Sequence, residues 1–139
     1  ISNQFIIDDR VCLNGNKLMF IEPLEANSNP AYVHATNGYL NYMLGRTSKK
    51  QVCNEITSYI LKIQNYLIWL YQSGSKYETP FWEHARSLQF DDNLFNALIN
   101  ICSSNSMESV WSLMDEQEVP EQYGQWDLSS IRNWIQNTK

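Results

Sequence analysis

The chain has 139 residues, 43% of them hydrophobic and 13% aromatic, which suits one folded domain with a core and excludes a disordered chain. Ten Lys and Arg against fifteen Asp and Glu leave a net charge of -5, the wrong sign for a surface that binds nucleic-acid phosphates. The imbalance is local: residues 87–131 hold no Lys or Arg and eight carboxylates (Asp91, Asp92, Glu108, Asp115, Glu116, Glu118, Glu121, Asp127), which read as a solvated acidic face.

The start of the chain reads as strand over residues 4–13, with Asp8-Asp9-Arg10 as a polar patch inside it. Asn14-Gly15-Asn16 is a turn signal. Residues 17–21 are apolar and ambiguous between strand and helix, and Pro23 ends any strand there. Asn27-Ser28-Asn29-Pro30 opens a helix, with short polar caps and a proline in the first turn, and that helix stops at Gly45. Thr47 or Ser48 caps the longest element, which runs to Ser73 and ends at Gly74. Its stripe of Val52, Ile56, Tyr59, Ile60, Ile63, Leu67 and Leu70 has helical spacing, and Leu61, Ile68 and Trp69 widen it. Thr79 as N-cap, Pro80 at N1 and Glu83 at N3 begin another helix. Asp91-Asp92 precede a fourth, Met107 to Met114 suggests a fifth, residues 119–124 form a loop, and Asp127 caps a closing helix. The expected fold is a mainly α single domain over 1–139: a bundle of five or six helices with one long central helix and a small N-terminal β segment.

Cys12, Cys53 and Cys102 are odd in number and far apart. They make neither a disulfide framework nor a zinc site, and read as buried thiols of a reducing compartment, the cytoplasm. The most apolar run, Tyr59 to Tyr71, is interrupted by Lys62, Gln64 and Asn65 and is too short and polar to span a bilayer. No signal-peptide pattern opens the chain. It begins Ile1-Ser2-Asn3 without an initiator Met, so the expectation is a removed tag or a missing start of a longer protein.

Three groups could carry chemistry. Gly15-Asn16 is a turn where backbone N–H groups can come close to a phosphate or a ring, or an ordinary turn. Glu22 and Glu25 lie three apart among Phe20, Ile21 and Leu24. A carboxylate among apolar neighbours can serve as a base, and a solvated pair is the other reading. Phe81 and Trp82 at a capped helix start either line a pocket or pack in the core. His34 and His84 have no partner at ligand or triad spacing and read as ordinary helix residues.

Taken in order, Gly15-Asn16, Phe20-Ile21-Glu22-Pro23-Leu24-Glu25-Ala26, a long helix and then Thr79-Pro80-Phe81-Trp82 resemble the flavin-dependent halogenases of the tryptophan-halogenase family, over roughly residues 4–90. The resemblance implies a two-part flavoprotein in which reduced FAD, oxygen and halide give hypohalous acid, which travels to an aromatic small-molecule substrate. It makes Glu25 the glutamate that places the halogenating species or takes the ring proton, and Glu22 structural. It puts Gly15 and Asn16 on the flavin side. Where the family reads Ser-Thr-Gly at its halide site, this chain reads Ala26-Asn27-Ser28, which would make Asn27 and Ser28 the halide neighbours. The family's G-x-G-x-x-G fingerprint and its W-x-W-x-I-P segment do not occur in these 139 residues, and no tunnel lysine is identified among them. The expectation is therefore a C-terminal fragment or truncated relative of a halogenase, holding no cofactor itself and inactive alone. Its exposed surfaces would be covered in a homodimer, with no nucleic-acid or membrane partner. The alternative is a freestanding helical interaction module that self-associates. Glu25 is expected to be partly solvent-accessible, with Phe20 and Leu24 packed inward.

Overall fold

The structure, a computed structural model, describes residues 4–20, 28–74, 76–90, 92–103 and 106–138. Two compact units divide the chain, Ile1–Gln64 and Asn65–Lys139. Six α-helices and two small hairpins make up the described residues, which is the mainly α fold with a β segment at its start.

In the first unit, residues 4–13 are two strands rather than one. β1 (Ile6–Ile7) pairs antiparallel with β2 (Val11–Cys12), Ile6 opposite Cys12 and Ile7 opposite Val11. The supposed polar patch is the turn. Asp8 and Asp9 have φ of 48 and 57°, and the Arg10 N–H donates to the Ile7 carbonyl at 3.1 Å. Two successive left-handed residues match the right-handed twist of a hairpin, and Asp tolerates that conformation better than most side chains. Phe5 and Ile6 are buried. Helix α1 (Ser28–Met43) buries Ala31, Ala35 and Tyr39 and ends where Gly45 takes φ of 68°, its N–H donating to the Tyr42 carbonyl, a left-handed stop that glycine makes without strain.

Helix α2 (Lys49–Ser73) begins as its sequence indicates. The Gln51 N–H donates to Ser48 Oγ at 3.2 Å and the Ser48 N–H donates back to Gln51 Oε1 at 3.1 Å, a reciprocal capping box. Val52, Ile56, Ile60 and Ile63 are fully buried, while Leu61, off the stripe, is 45% exposed. The division between the two units falls within this helix.

The second unit contains α3 (Pro80–Ser87), α4 (Asn93–Cys102), α5 (Met107–Gln117) and α6 (Leu128–Asn137). Thr79 is the N-cap residue of α3, but its side chain makes no cap bond, and Glu83 falls one place later than N3, its N–H bound to the Thr79 carbonyl. Asp92, Ser106 and Asp127 each accept from a first-turn N–H and so cap α4, α5 and α6. The expected loop at 119–124 holds half of a second hairpin. β3 (Gln122–Tyr123) pairs with β4 (Trp126–Asp127) across Gly124, whose φ of 61° turns the chain. Of the eight carboxylates read as a solvated face, Glu108, Asp115, Glu116, Glu118, Glu121 and Asp127 are exposed, Asp92 is half-buried, and Asp91 lies outside the described residues.

Aromatic rings fill this unit's core. Phe95 lies parallel to Tyr123 at 4.3 Å and edge-on to Trp69 at 5.5 Å, and Tyr66 stacks on Trp126 at 3.6 Å. A polar triangle ties α2 to α4 and β3: the Tyr123 hydroxyl donates to Asp92 Oδ2 at 2.6 Å, and Asn65 Nδ2 donates to the same oxygen at 3.2 Å. Arg132 is buried, and its guanidinium donates to the Cys102 carbonyl at the end of α4, where positive charge complements the helix dipole.

All three cysteines are free; Cys102 is buried, whereas Cys12 and Cys53 are only half-buried. Burial pushes the Cys102 thiol from its ordinary 9.0 up to about 11, partly opposed by Arg132. Burial, aided by Cys12 and Cys53, pushes the Tyr39 phenol from 10.0 up to about 12. The unfolded chain releases these protons first, so above pH 9 it binds fewer protons than the native state and stability falls as pH rises. We expect the denaturation midpoint to drop between pH 9 and 11 through Cys102 and between pH 10 and 12 through Tyr39. Cys102→Ala should flatten the lower part of that fall, and an unchanged profile in this variant would contradict the assignment.

Candidate functional site

Gly15 opens a short 3-10 turn, Gly15–Lys17, at φ of 59°. Asn14 Oδ1 accepts from the Gly15 N–H at 2.8 Å, and the Leu18 N–H closes the turn on the Gly15 carbonyl at 2.9 Å. Helix α1 holds this segment with three side chains at helical spacing. Tyr39 donates to the Leu13 carbonyl at 2.6 Å, and Asn14 Nδ2 donates to Thr36 Oγ1 at 3.0 Å. The Tyr32 hydroxyl lies 3.0 Å from both Asn16 Oδ1 and the Met19 carbonyl. Residues 32, 36 and 39 share one helix face, a strap that the sequence reading passed over because a Tyr-Thr-Tyr face carries no chemical signature of its own.

A β-carbon on Gly15 would have nothing within 4 Å. The glycine is thus required by its left-handed backbone and not by a close neighbour. Gly15→Ala should cost about 1–2 kcal/mol from backbone strain alone, with Gly15→Asn milder because Asn visits that region more readily. Equal losses for the two variants in denaturant melts would contradict this account.

After the turn, Leu18 and Met19 are buried and Phe20 is 63% exposed. This corrects the expected inward packing of Phe20: the two preceding side chains take the core positions and the backbone directs the third to solvent. Glu22, Leu24, Glu25 and Asn27 lie outside the described residues. Ser28, the other residue assigned to halide, is the first residue of α1 and half-buried. The structure therefore describes the residues that flank the glutamate segment, Phe20 and Ser28, and places Gly15 and Asn16 in the turn held by α1.

In the second unit the aromatics at the start of α3 are not core residues. Phe81 is 58% exposed and Trp82 half-buried. They lie 5.0 Å apart edge to face, and Tyr71 near the end of α2 joins them at 6.0 and 5.8 Å. Such a half-open aromatic group offers ring faces and edges to another aromatic body.

His34 lies in α1, where its ring stacks on Tyr59 at 4.3 Å with 10° between planes. The pair floors an open depression of about 420 Å³ in the first unit, rimmed by Asn54, Glu55, Ser58 and Lys62. Among the described residues, no group of three or more His, Cys, Asp or Glu is placed to hold a metal ion. No helix there is long and apolar enough to cross a membrane.

For the flavin implied by the resemblance, Gly15 offers only open space around its α-carbon, and the sequence holds no glycine-rich strand-to-helix turn for a pyrophosphate. Compared with family models, with curated proteins and with solved structures, the chain matches none.

Proposed function

We propose that this chain is the C-terminal helical part, or a truncated relative, of a flavin-dependent halogenase of the tryptophan-halogenase kind, and that these 139 residues alone hold no FAD and are inactive. The observation that carries the reading is the Phe20-to-Ala26 segment, standing between a strapped left-handed glycine and the long helix α2. The half-open Tyr71–Phe81–Trp82 group supports it, because exposed rings suit an arene better than they suit a core.

Reduced flavin, if bound by a complete protein, would supply hypohalous acid from oxygen and halide. In that reading Gly15 would let the cofactor ring come close to backbone, and Asn27 and Ser28 would be the halide neighbours. Glu25 would hold the halogenating species or take the proton that leaves the ring carbon. A carboxylate in an apolar setting is basic enough for that transfer. We place the protein in the reducing cytoplasm, where its three thiols stay free.

Titrating the purified chain with FAD and sequencing the gene upstream of Ile1 test the proposal. We expect a colourless protein without submicromolar FAD affinity, and an in-frame G-x-G-x-x-G after a first strand. Flavin that survives gel filtration on this chain alone, or a reading frame that opens just before Ile1, would overturn it. The second outcome favours the other reading, a self-associating helical module forming a two-fold dimer. What favours that reading is the apolar side chains exposed along and just past α1: Val33 62%, Leu40 48%, Met43 68% and Leu44 53%.

A further inference from the structure

Helices α1 and α2 close on each other in the first unit where a β-carbon on Gly38 would stand 3.2 Å from Val52 Cγ1. The missing side chain lets the two backbones come near. His34, one turn before Gly38, lies on Tyr59, two turns after Val52, with ring centroids 4.3 Å apart and 10° between planes. Glu55, Ser58, Tyr59 and Lys62 follow one another at three- and four-residue steps, so they share one face of α2, beside the buried Ile56, Ile60 and Ile63. With Asn54 and His34 they line the open depression of about 420 Å³, a volume within the range of small-ligand sites. Asn54, Glu55 and Ser58 are exposed, and His34, Tyr59 and Lys62 half-buried, so a ligand reaches all six.

The chemistry of this lining selects among ligands. The two rings already cover each other's facing surfaces, so no flat aromatic body can slide between them, and the space beside them is open rather than a slot. The rim holds a carboxylate that only accepts (Glu55), an ammonium that only donates (Lys62), and an amide and a hydroxyl that do both (Asn54, Ser58). Carboxylate and ammonium cancel in formal charge, which disfavours a strongly ionic ligand. A sugar ring has the matching surface. Its C–H face is slightly positive and rests on the negative face of an aromatic ring. Each of its hydroxyls both donates and accepts, so it can serve all four rim groups. We propose that this depression is a binding site for a neutral saccharide, its C–H face on the His34–Tyr59 pair and its hydroxyls on Asn54, Glu55, Ser58 and Lys62. The site uses neither Gly15 nor Glu25, so it stands apart from the halogenase reading.

Amide NMR of the isotope-labelled full chain tests it, by titration with the methyl glycosides of glucose, galactose, mannose and N-acetylglucosamine and, separately, with indole and adenosine. We expect saturable, millimolar binding of at least one glycoside, with shifts centred on His34 and residues 54–62. Tyr59→Leu, which keeps an apolar side chain but removes the ring, should weaken that binding about tenfold. Asn54→Ala and Ser58→Ala substitute exposed positions of α2 and leave the helix intact. Each should weaken binding about three- to tenfold, the worth of one hydrogen bond. No saturable binding of any of these glycosides would overturn the proposal. So would shifts centred elsewhere, unchanged affinity in all three variants, or indole or adenosine binding this site more tightly than every glycoside.

Discussion

Phe95→Ala is expected to destabilise the second unit by about 3–5 kcal/mol, the cost of deleting a fully buried aromatic that the surroundings cannot fill. Phe95 is 0% exposed and is the hub of the ring cluster, in contact with Tyr66, Trp69, Phe90 and Tyr123. Its removal takes away four ring contacts at once and opens a cavity beside the Tyr123–Asp92 hydrogen bond. A loss of that size is a large share of the roughly 5–15 kcal/mol that holds a small protein folded. Tryptophan fluorescence in urea reads it, because Trp69 and Trp126 lie in the same cluster. Phe95→Leu, which keeps most of the volume, should lose less than half as much. A Phe95→Ala variant within about 1 kcal/mol of wild type would mean that this core collapses without cost.

The second large effect concerns Glu25 and separates stability from chemistry. In the isolated chain, Glu25→Gln should change stability by no more than about 0.5 kcal/mol, as expected for a solvated carboxylate. In the protein expressed from the full reading frame, with FAD bound, the same substitution should lower arene turnover by about 100- to 10,000-fold, the usual worth of a positioned acid–base group. Glutamine keeps the size and one carbonyl oxygen but cannot take up the ring proton, so KM for the arene should move little while kcat falls. A stability loss in the isolated chain comparable with that of a core truncation would make Glu25 a buried structural residue instead.

The parts of the fold that sequence makes legible are those with short-range causes. Ser48 with Gln51, Asp92 and Asp127 mark helix starts because the capping group and the N–H it serves lie within one turn, and Thr79-Pro80 marks one because proline suits the first helical position. Val52 to Leu70 shows α2 because the period of burial is the period of the helix. Both hairpins were less legible. β1 and β2 are two residues each, too short for any alternation to register, and the turn between them uses Asp8-Asp9 where glycine or asparagine is the familiar signal. Tyr123 and Trp126 sit in equally short strands, so residues 119–124 read as loop. Phe20 reads as core by composition, and only the burial of Leu18 and Met19 shows that it turns outward. The strap of Tyr32, Thr36 and Tyr39 on the glycine turn joins residues 13 to 26 positions apart in sequence. No local pattern encodes such contacts; they follow from how α1, α2 and the hairpin pack within the first unit.

Mass spectrometry of an indole substrate, incubated with the product of the full reading frame, reduced FAD, oxygen and chloride, tests the central proposal most directly. The account predicts a product in which one ring hydrogen is replaced by chlorine, with the chlorine isotope pattern. Its formation should require flavin and fall with Glu25→Gln. A well-folded product of that frame that binds no FAD, chlorinates no arene and behaves in light scattering as a tight dimer would contradict it.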